Sequence, residues 1–175
     1  MNSSGNERKY KIGTQVKIVK NVSSGTYRFR DIFKGFEDLI AVKNIFGRNV
    51  LRELDELTVE VFPKDGFMGV SDEDGHIFAS QYYLNEGDEW SVYLDVIHEL
   101  VHVRQFKHGK NLFDPQFAYV DRPTEIEAYS VGVEEARRIG MTEKEIFDYL
   151  EVPWISKKEH HRLAKSAGLK LDAQN

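Results

Sequence analysis

Apolar side chains recur on nearly every side of a helix drawn through residues 89–107, which predicts a long helix in the protein core. A second helix is expected over residues 123–139, with a proline at its start and Gly140 after its end. Thr142 and Ser156 are each followed three residues later by a glutamate, which predicts capping boxes that open two further helices. The second half of the chain is therefore predicted to be mainly helical.

The first half of the chain combines helical and strand patterns. Apolar spacing over residues 30–46 predicts an amphipathic helix. Alternating or β-branched stretches at residues 57–62, 67–71 and 76–84 predict three strands, of which the last two form a hairpin. A shorter alternation at residues 14–19 is a weaker strand pattern, punctuated by glycine and serine.

The order of these elements predicts an α+β fold, in which a small antiparallel or mixed sheet packs on the long helix. The chain has 175 residues and a hydrophobic fraction of 41%, which suits one domain with its own core. We expect a disordered tail over residues 1–9, where every side chain but Met1 is small or polar, and a single domain over residues 10–175.

Composition excludes several classes of protein. There is no cysteine, so neither disulfides nor thiolate metal sites are available. The formal net charge of −5 disfavours a nucleic-acid partner, which usually requires a basic face. The chain contains no run of about 18 apolar residues and no secretory leader pattern, so we expect no membrane association and a cytoplasmic location.

The predicted core helix carries His98-Glu99-Leu100-Val101-His102. Two histidines four residues apart lie on one face of a helix, where both can bind one Zn²⁺ ion. Glu99 points away from His98 toward the open side of such a metal, where it can accept a proton from a metal-activated water. This spacing supplies two ligands and a general base from a short piece of helix.

A catalytic zinc site usually has three protein ligands and one open position. Since cysteine is absent, the downstream candidates for the third ligand are His108, Asp114, Asp121, Glu125 and Glu127. The spacing of His98, His102 and His108 matches that of metzincins. That family has glycine where this chain has Gln105, and a continuing helix would turn His108 off the metal face.

The chain resembles the gluzincin group of zinc metallopeptidases, and in size the small single-domain members of that group. The resemblance rests on the motif helix and on a Glu-x-x-Ala pattern at Glu125 to Ala128 in the following helix, and it covers about residues 57–140. It implies a zincin-like fold with Zn²⁺ held by His98, His102 and Glu125, and Glu99 as general base. Glu127 stays a rival to Glu125.

The resemblance also implies a peptide or protein substrate, bound along the strand before the motif helix, here residues 77–84. Some gluzincins have Asp or Asn where this chain has Tyr129, to orient a metal-bound histidine. Candidates for stabilising the transition state are Tyr119, Tyr129, His160 and His161.

The alternative is a metal-binding regulatory domain, or a latent one, in which the helices after Gly140 cover the site. A structural protein without a metal is the third hypothesis.

Overall fold

The computed structural model describes residues 9–170 and shows a mixed α+β fold. The strands are β1 (Lys17–Ile18), β2 (Gly25–Arg28), β3 (Phe33–Lys34), β4 (Thr58–Phe62), β5 (Met68–Val70) and β6 (Ile77–Ser80). The α-helices are α1 (Phe29–Ile32), α2 (Ile40–Phe46), α3 (Val50–Glu56), α4 (Gln81–Glu86), α5 (Glu89–Lys107), α6 (Pro123–Arg138), α7 (Glu143–Tyr149) and α8 (Lys157–Ser166). Short 3-10 helices lie at Phe36–Asp38, Gly47–Asn49 and Tyr119–Asp121.

Four strands form one mixed sheet in the spatial order β2-β4-β6-β5. β2 is antiparallel to β4, β4 is parallel to β6, and β6 is antiparallel to β5. β1 and β3 make a separate antiparallel pairing. β6 is therefore an interior strand, and β2 and β5 are the edges of the four-stranded sheet.

α5 runs through the core, as its apolar pattern predicts. Every residue from Val92 to Val103 is buried except Asp95. The helix packs against α6, α2 and the edge strand β5. The predicted helix bounds, residues 89–107, are confirmed.

The predicted helix starts in the second half of the chain are also confirmed. α6 begins with Pro123, and α7 and α8 begin after Thr142 and Ser156. Each of these two hydroxyls accepts a hydrogen bond from a glutamate N–H three residues later, and the glutamate carboxylate accepts one in return. Such reciprocal bonds satisfy donors that a helix start otherwise leaves unpaired.

The single helix predicted for residues 30–46 is wrong, because the chain leaves the helical path after Ile32. Phe33 and Lys34 pair with β1, and Gly35 follows with a positive φ of 76°. A Cβ at Gly35 would lie only 2.4 Å from the carbonyl oxygen of Gln15, so glycine alone fits this close approach. Helix resumes only at α2.

The strand predicted for residues 76–84 is too long. It ends at Ser80, whose hydroxyl accepts a 3.3 Å hydrogen bond from the N–H of Tyr83 and so caps α4. The strand predicted for residues 14–19 shortens to β1, and the sequence patterns did not predict β2 or α3.

The predicted tail of residues 1–9 lies outside the described residues, apart from Lys9. Its ammonium lies 3.3 Å from the carboxylate of Glu145, which also accepts a 2.9 Å hydrogen bond from Tyr10. The buried Tyr10 ring meets Trp90 edge to face. This part of the chain is therefore tied to α7 and to the start of α5.

The single domain expected for residues 10–175 stays a prediction, and residues 171–175 of that span lie outside the described part. Between residues 9 and 170, no helix is both long and apolar enough to cross a membrane.

Candidate metal centre

Three buried side chains from two packed helices meet at one point. His98 and His102 lie one turn apart on α5, and Glu125 lies in the first turn of α6. All three are less than 8% exposed. Because α5 and α6 pack closely, two side chains on one helix and a third on the other can reach a common point.

The three atoms that face one another lie close enough together to share one ion. Nε2 of His98 lies 3.0 Å from Nε2 of His102, and Oε2 of Glu125 lies 3.3 and 3.4 Å from these two nitrogens. Two donors about 2.0–2.1 Å from a tetrahedral ion are roughly 3.3–3.4 Å apart. This buried group could therefore hold a metal ion.

The hydrogen bonding of Glu125 also favours a cation at this point. Oε2 of Glu125 is buried and makes no hydrogen bond within the described residues, although both histidine nitrogens are near. Buried polar atoms in native proteins almost always have partners, because leaving one unpaired costs about 1–3 kcal/mol. A cation between the three side chains would supply the missing partner.

The charges in this group are strongly coupled. Burial raises the pKa of Glu125, but the two histidines outweigh burial and bring that pKa down to about 2. Burial lowers the pKa of His102, while the carboxylates of Glu125 and Glu99 outweigh it and raise that pKa to about 9. Since metal binding requires unprotonated ligands, a bound cation would take the place of protons on the histidines.

Glu99 is buried beside this group and does not join it. Its Oε2 has no hydrogen-bond partner in the described part of the chain, and burial raises the pKa of its carboxyl. The side chain lines a cleft that reaches the two histidines. A carboxylate so placed can exchange a proton with a small molecule in the cleft.

Gln105 orients His102. Its Oε1 lies 2.7 Å from Nδ1 of His102, and its amide donates to the carbonyl of Thr124 at 3.0 Å and to Glu127 at 2.7 Å. An acceptor on Nδ1 leaves Nε2 of the imidazole free to bind a metal. The spacing of His102 and Gln105, three residues apart on a helix, could have revealed this pairing in the sequence.

The rival ligands lie elsewhere. Glu127 points to Gln105 and forms an ion pair with Arg104 at 2.5 Å. His108 is exposed at the end of α5, so the metzincin-like spacing does not bring it to the site. Asp114 accepts the N–H of Gln116 at 2.9 Å, and Asp121 pairs with Arg162.

The candidates for transition-state stabilisation separate into two groups. Tyr119 lines the cleft, and its hydroxyl lies 2.8 Å from that of Tyr129, whose ring packs on His98 with 4.4 Å between centroids. His160 stacks on Phe147, and Nδ1 of His161 lies 2.8 Å from the carbonyl of Lys157. The structure thus brings the two tyrosines to the site, whereas both histidines have partners in another region.

The cleft consists of two adjoining cavities that share five lining residues, Met68, His98, Glu99, Tyr119 and Trp154. The apolar cavity, of about 180 Å³, is also lined by His102 and Glu125. Its apolar walls come from Met68, Val70, Phe78, Leu112 and Phe113. The aromatic cavity, of about 260 Å³, has rings from Phe67, Tyr83, Tyr129, Tyr149 and Trp154 in its walls. Glu99 therefore lies where the two cavities meet.

Strand β5 forms one wall of this cleft, and its outer edge is unpaired within the described sheet. The carbonyl of Phe67 accepts from the N–H of Ser80 in β6, and the N–H of Ser71 donates to the carbonyl of His76 just before β6. The alternation of a strand therefore turns the N–H and C=O groups of Met68 and Val70 outward. The predicted substrate strand, residues 77–84, is wrong, because β6 is paired on both sides. Of the two edge strands of this sheet, β5 is the one that lines the cleft.

Comparison of the chain with protein-family models, with curated proteins and with solved structures gives no match.

Proposed function

We propose that this protein is a zinc-dependent peptidase that resembles the small gluzincins. The observation that carries the proposal is the buried triangle of His98, His102 and Glu125, with the unpaired carboxylate oxygen of Glu99 beside it. Three ligands and an adjacent base in a cleft are the usual composition of a hydrolytic metal site.

The donor set favours zinc among biological metals. Two imidazole nitrogens and one carboxylate oxygen suit Zn²⁺, whereas Mg²⁺ and Ca²⁺ prefer all-oxygen sites with more ligands. The spacing of 3.3–3.4 Å from Oε2 of Glu125 to the two histidines fits a tetrahedral ion. The alternatives Glu127 and His108 lie outside this triangle.

A zinc ion, when bound, would activate a water molecule and polarise the carbonyl of the substrate. Glu99 accepts a proton from the attacking water and delivers it to the departing amine nitrogen as the peptide C–N bond breaks. The hydroxyl of Tyr119 donates a hydrogen bond to the substrate carbonyl oxygen, on which negative charge develops. Gln105 holds the ring of His102 in the required orientation.

The substrate in this proposal is an extended peptide that adds to the outer edge of β5. The outward N–H and C=O groups of Met68 and Val70 offer main-chain hydrogen bonds, as in other cases of strand addition. Both residues also line the apolar cavity, which can take a neighbouring substrate side chain. This placement brings the peptide backbone past Glu99.

Two measurements test the proposal. Protein purified without added zinc should contain about one equivalent of zinc by elemental analysis, and should hydrolyse peptides from a quenched-fluorescence library. Glu99→Gln should keep the metal and lose hydrolysis, while Glu56→Gln, an exposed change on α3, keeps both. Absence of zinc, or full hydrolysis by Glu99→Gln, would overturn the proposed mechanism.

A second candidate function is a latent form of the same metal domain. The ring of Trp154 lies 5.6 Å from that of Phe67 and 5.9 Å from that of Tyr119, so it bridges the two walls of the cleft. If this bridge blocks substrates, Trp154→Ala raises kcat/KM for peptides. If Trp154 serves as a wall for substrate, the same change lowers it.

A further inference from the structure

The aromatic cavity contains two carboxylates that have no role in the proposed hydrolysis. Besides Glu99 it is lined by the carboxylates of Asp95 and Glu151, and none of its described lining residues is lysine or arginine. Among the described residues that line the neighbouring apolar cavity, the carboxylates are those of the site, Glu99 and Glu125. The two sides of the cleft therefore differ in charge.

Within the described residues, the hydrogen bonds to the Asp95 carboxylate come from two tyrosine hydroxyls. The hydroxyl of Tyr149 donates to its Oδ1 at 2.7 Å, and the hydroxyl of Tyr83 donates to its Oδ2. An ionised carboxylate has about four acceptor positions, so each oxygen keeps capacity for another donor. The two hydrogen bonds fix the carboxylate in place, and burial raises the pKa of its carboxyl, so a cation beside it would favour the ionised form.

A second observation in the same cavity points to a ligand. Oε2 of Glu99 is buried, with its residue only 7% exposed, and it makes no hydrogen bond within the described residues. Buried acceptors of this kind usually have a donor. A donor that enters the cavity would meet Glu99 at one end and Asp95 among the tyrosines.

The walls of the cavity suit a cation on a long apolar stem. The rings of Tyr83, Tyr149 and Trp154 can pack against methylene groups, and aromatic faces attract ammonium and guanidinium ions. A volume of about 260 Å³ accommodates one such side chain. Carboxylates that accept from a charged donor make stronger bonds than neutral pairs.

We infer that the aromatic cavity binds the side chain of a lysine or arginine next to the scissile bond of the substrate. The inference rests on the proposed function, which supplies the scissile bond at Glu99. The apolar cavity then takes an apolar side chain on the other side of that bond. Substrates are therefore extended peptides in which a basic residue and an apolar residue flank the cleaved bond.

The test uses zinc-loaded protein and quenched-fluorescence peptides that scan residue types on both sides of the cleaved bond. Lysine and arginine should be preferred on one side. Replacing that arginine with citrulline, which has nearly the same shape without the charge, should lower kcat/KM on the order of 10- to 100-fold. Equal kcat/KM for the arginine and citrulline peptides would overturn the inference.

A binding measurement separates this inference from the proposed function. Zinc-loaded Glu99→Gln protein keeps Asp95 and should bind the arginine peptide about tenfold or more tightly than the citrulline peptide in calorimetry. Discrimination in binding without any hydrolysis by the wild type would refute the peptidase and retain the cation site. Hydrolysis with equal binding of the arginine and citrulline peptides would support the peptidase and refute the cation site.

Substitution of single carboxylates tests which of them binds the basic side chain of the substrate. Asp95→Asn should reduce the ratio of kcat/KM between arginine and citrulline peptides toward one, and Glu151→Gln should reduce it less, because Glu151 is exposed. Asp38→Asn, at an exposed position outside both cavities, keeps the ratio. If Asp95→Asn does not fold, the ratio with wild-type protein still decides, and a wild-type ratio near one refutes the cation site.

Discussion

Oε1 of Gln105 lies 2.7 Å from Nδ1 of His102, and the amide nitrogen of the same side chain donates to the carbonyl of Thr124 on α6. One buried side chain thus contacts the ring of a candidate metal ligand and the first turn of the helix that carries Glu125. Gln105 therefore links the two helices that form the candidate metal centre.

Replacing Gln105 should weaken the metal site without removing a ligand. Gln105→Leu leaves Nδ1 of His102 without its acceptor, and loss of such a partner typically lowers metal affinity about 10- to 100-fold. Competition with a fluorescent zinc chelator measures the change. Gln116→Leu, at an exposed loop position, is the matched control. Unchanged affinity in Gln105→Leu would show that Gln105 does not position the ligand.

Glu125 and Glu127 should differ in their effect on metal content. Glu125→Gln removes the charged oxygen that faces both histidines, so the zinc content of the purified protein should fall far below one equivalent. Glu127→Gln disrupts only the contacts with Gln105 and Arg104, so the zinc should remain. The opposite order of zinc content would assign the third ligand to Glu127.

The outer edge of β5 should be sensitive to loss of one N–H group. Met68→Pro removes an N–H that points away from β6, a position where an edge strand tolerates proline. We expect kcat/KM for peptides to fall about tenfold, because the substrate loses one main-chain hydrogen bond, which contributes about 0.5–1.5 kcal/mol. Zinc content should stay the same.

Met68→Leu keeps the N–H and serves as the control for this change of side chain. If the proline and leucine variants hydrolyse peptides equally well, the substrate does not add to β5. Far-ultraviolet circular dichroism checks that both variants are folded.

Tyr119 should act on the rate more than on substrate binding. Burial raises the pKa of its hydroxyl well above the usual range, so the group stays protonated as a donor. Loss of a donor to a developing oxyanion lowers kcat by about 10²–10³-fold. We therefore expect kcat to fall in Tyr119→Phe, with KM and zinc content nearly constant.

The control is Tyr27→Phe, which removes an exposed hydroxyl that donates to the carbonyl of Ser23. A loss confined to KM would contradict the role of Tyr119.

Stability in acid should depend on the pair formed by Glu143 and Arg137. The guanidinium of Arg137 donates to Glu143 at 2.6 and 2.8 Å and lowers the pKa of its carboxyl from 4.5 to about 2. A lowered pKa in the folded state means that the contribution is complete above pH 4.5 and lost as the pH falls through 2. Since the pair is solvent-exposed, its contribution is about 0.2–1 kcal/mol.

Urea unfolding of wild type and Glu143→Gln between pH 7 and pH 2 measures this effect. The free energies of unfolding should differ at pH 7 and converge near pH 2. A difference that grows in acid would contradict the assigned pKa. Asp148→Asn, which breaks the exposed pair with Lys144, is a control for loss of a surface ion pair on the same helix.

Elements with strong local patterns were predictable from the sequence. The bounds of α5 and both capping boxes depend on interactions between residues three or four positions apart, so the residues that decide them are visible in one stretch of chain. The helix predicted over residues 30–46 failed for the opposite reason. The path at Gly35 depends on a close approach to Gln15, which is distant in the sequence.

The sequence by itself determined His98, Glu99 and His102 as a candidate metal motif, because helical spacing is a local property, and the resemblance to gluzincins added Glu125. Only the tertiary structure brought Glu125 rather than Glu127 to the histidines, made β5 instead of β6 the edge strand beside the cleft, and gathered Asp95 with the tyrosines in one cavity. These arrangements depend on how helices and strands from separate parts of the chain pack against one another, and local spacing does not encode that packing.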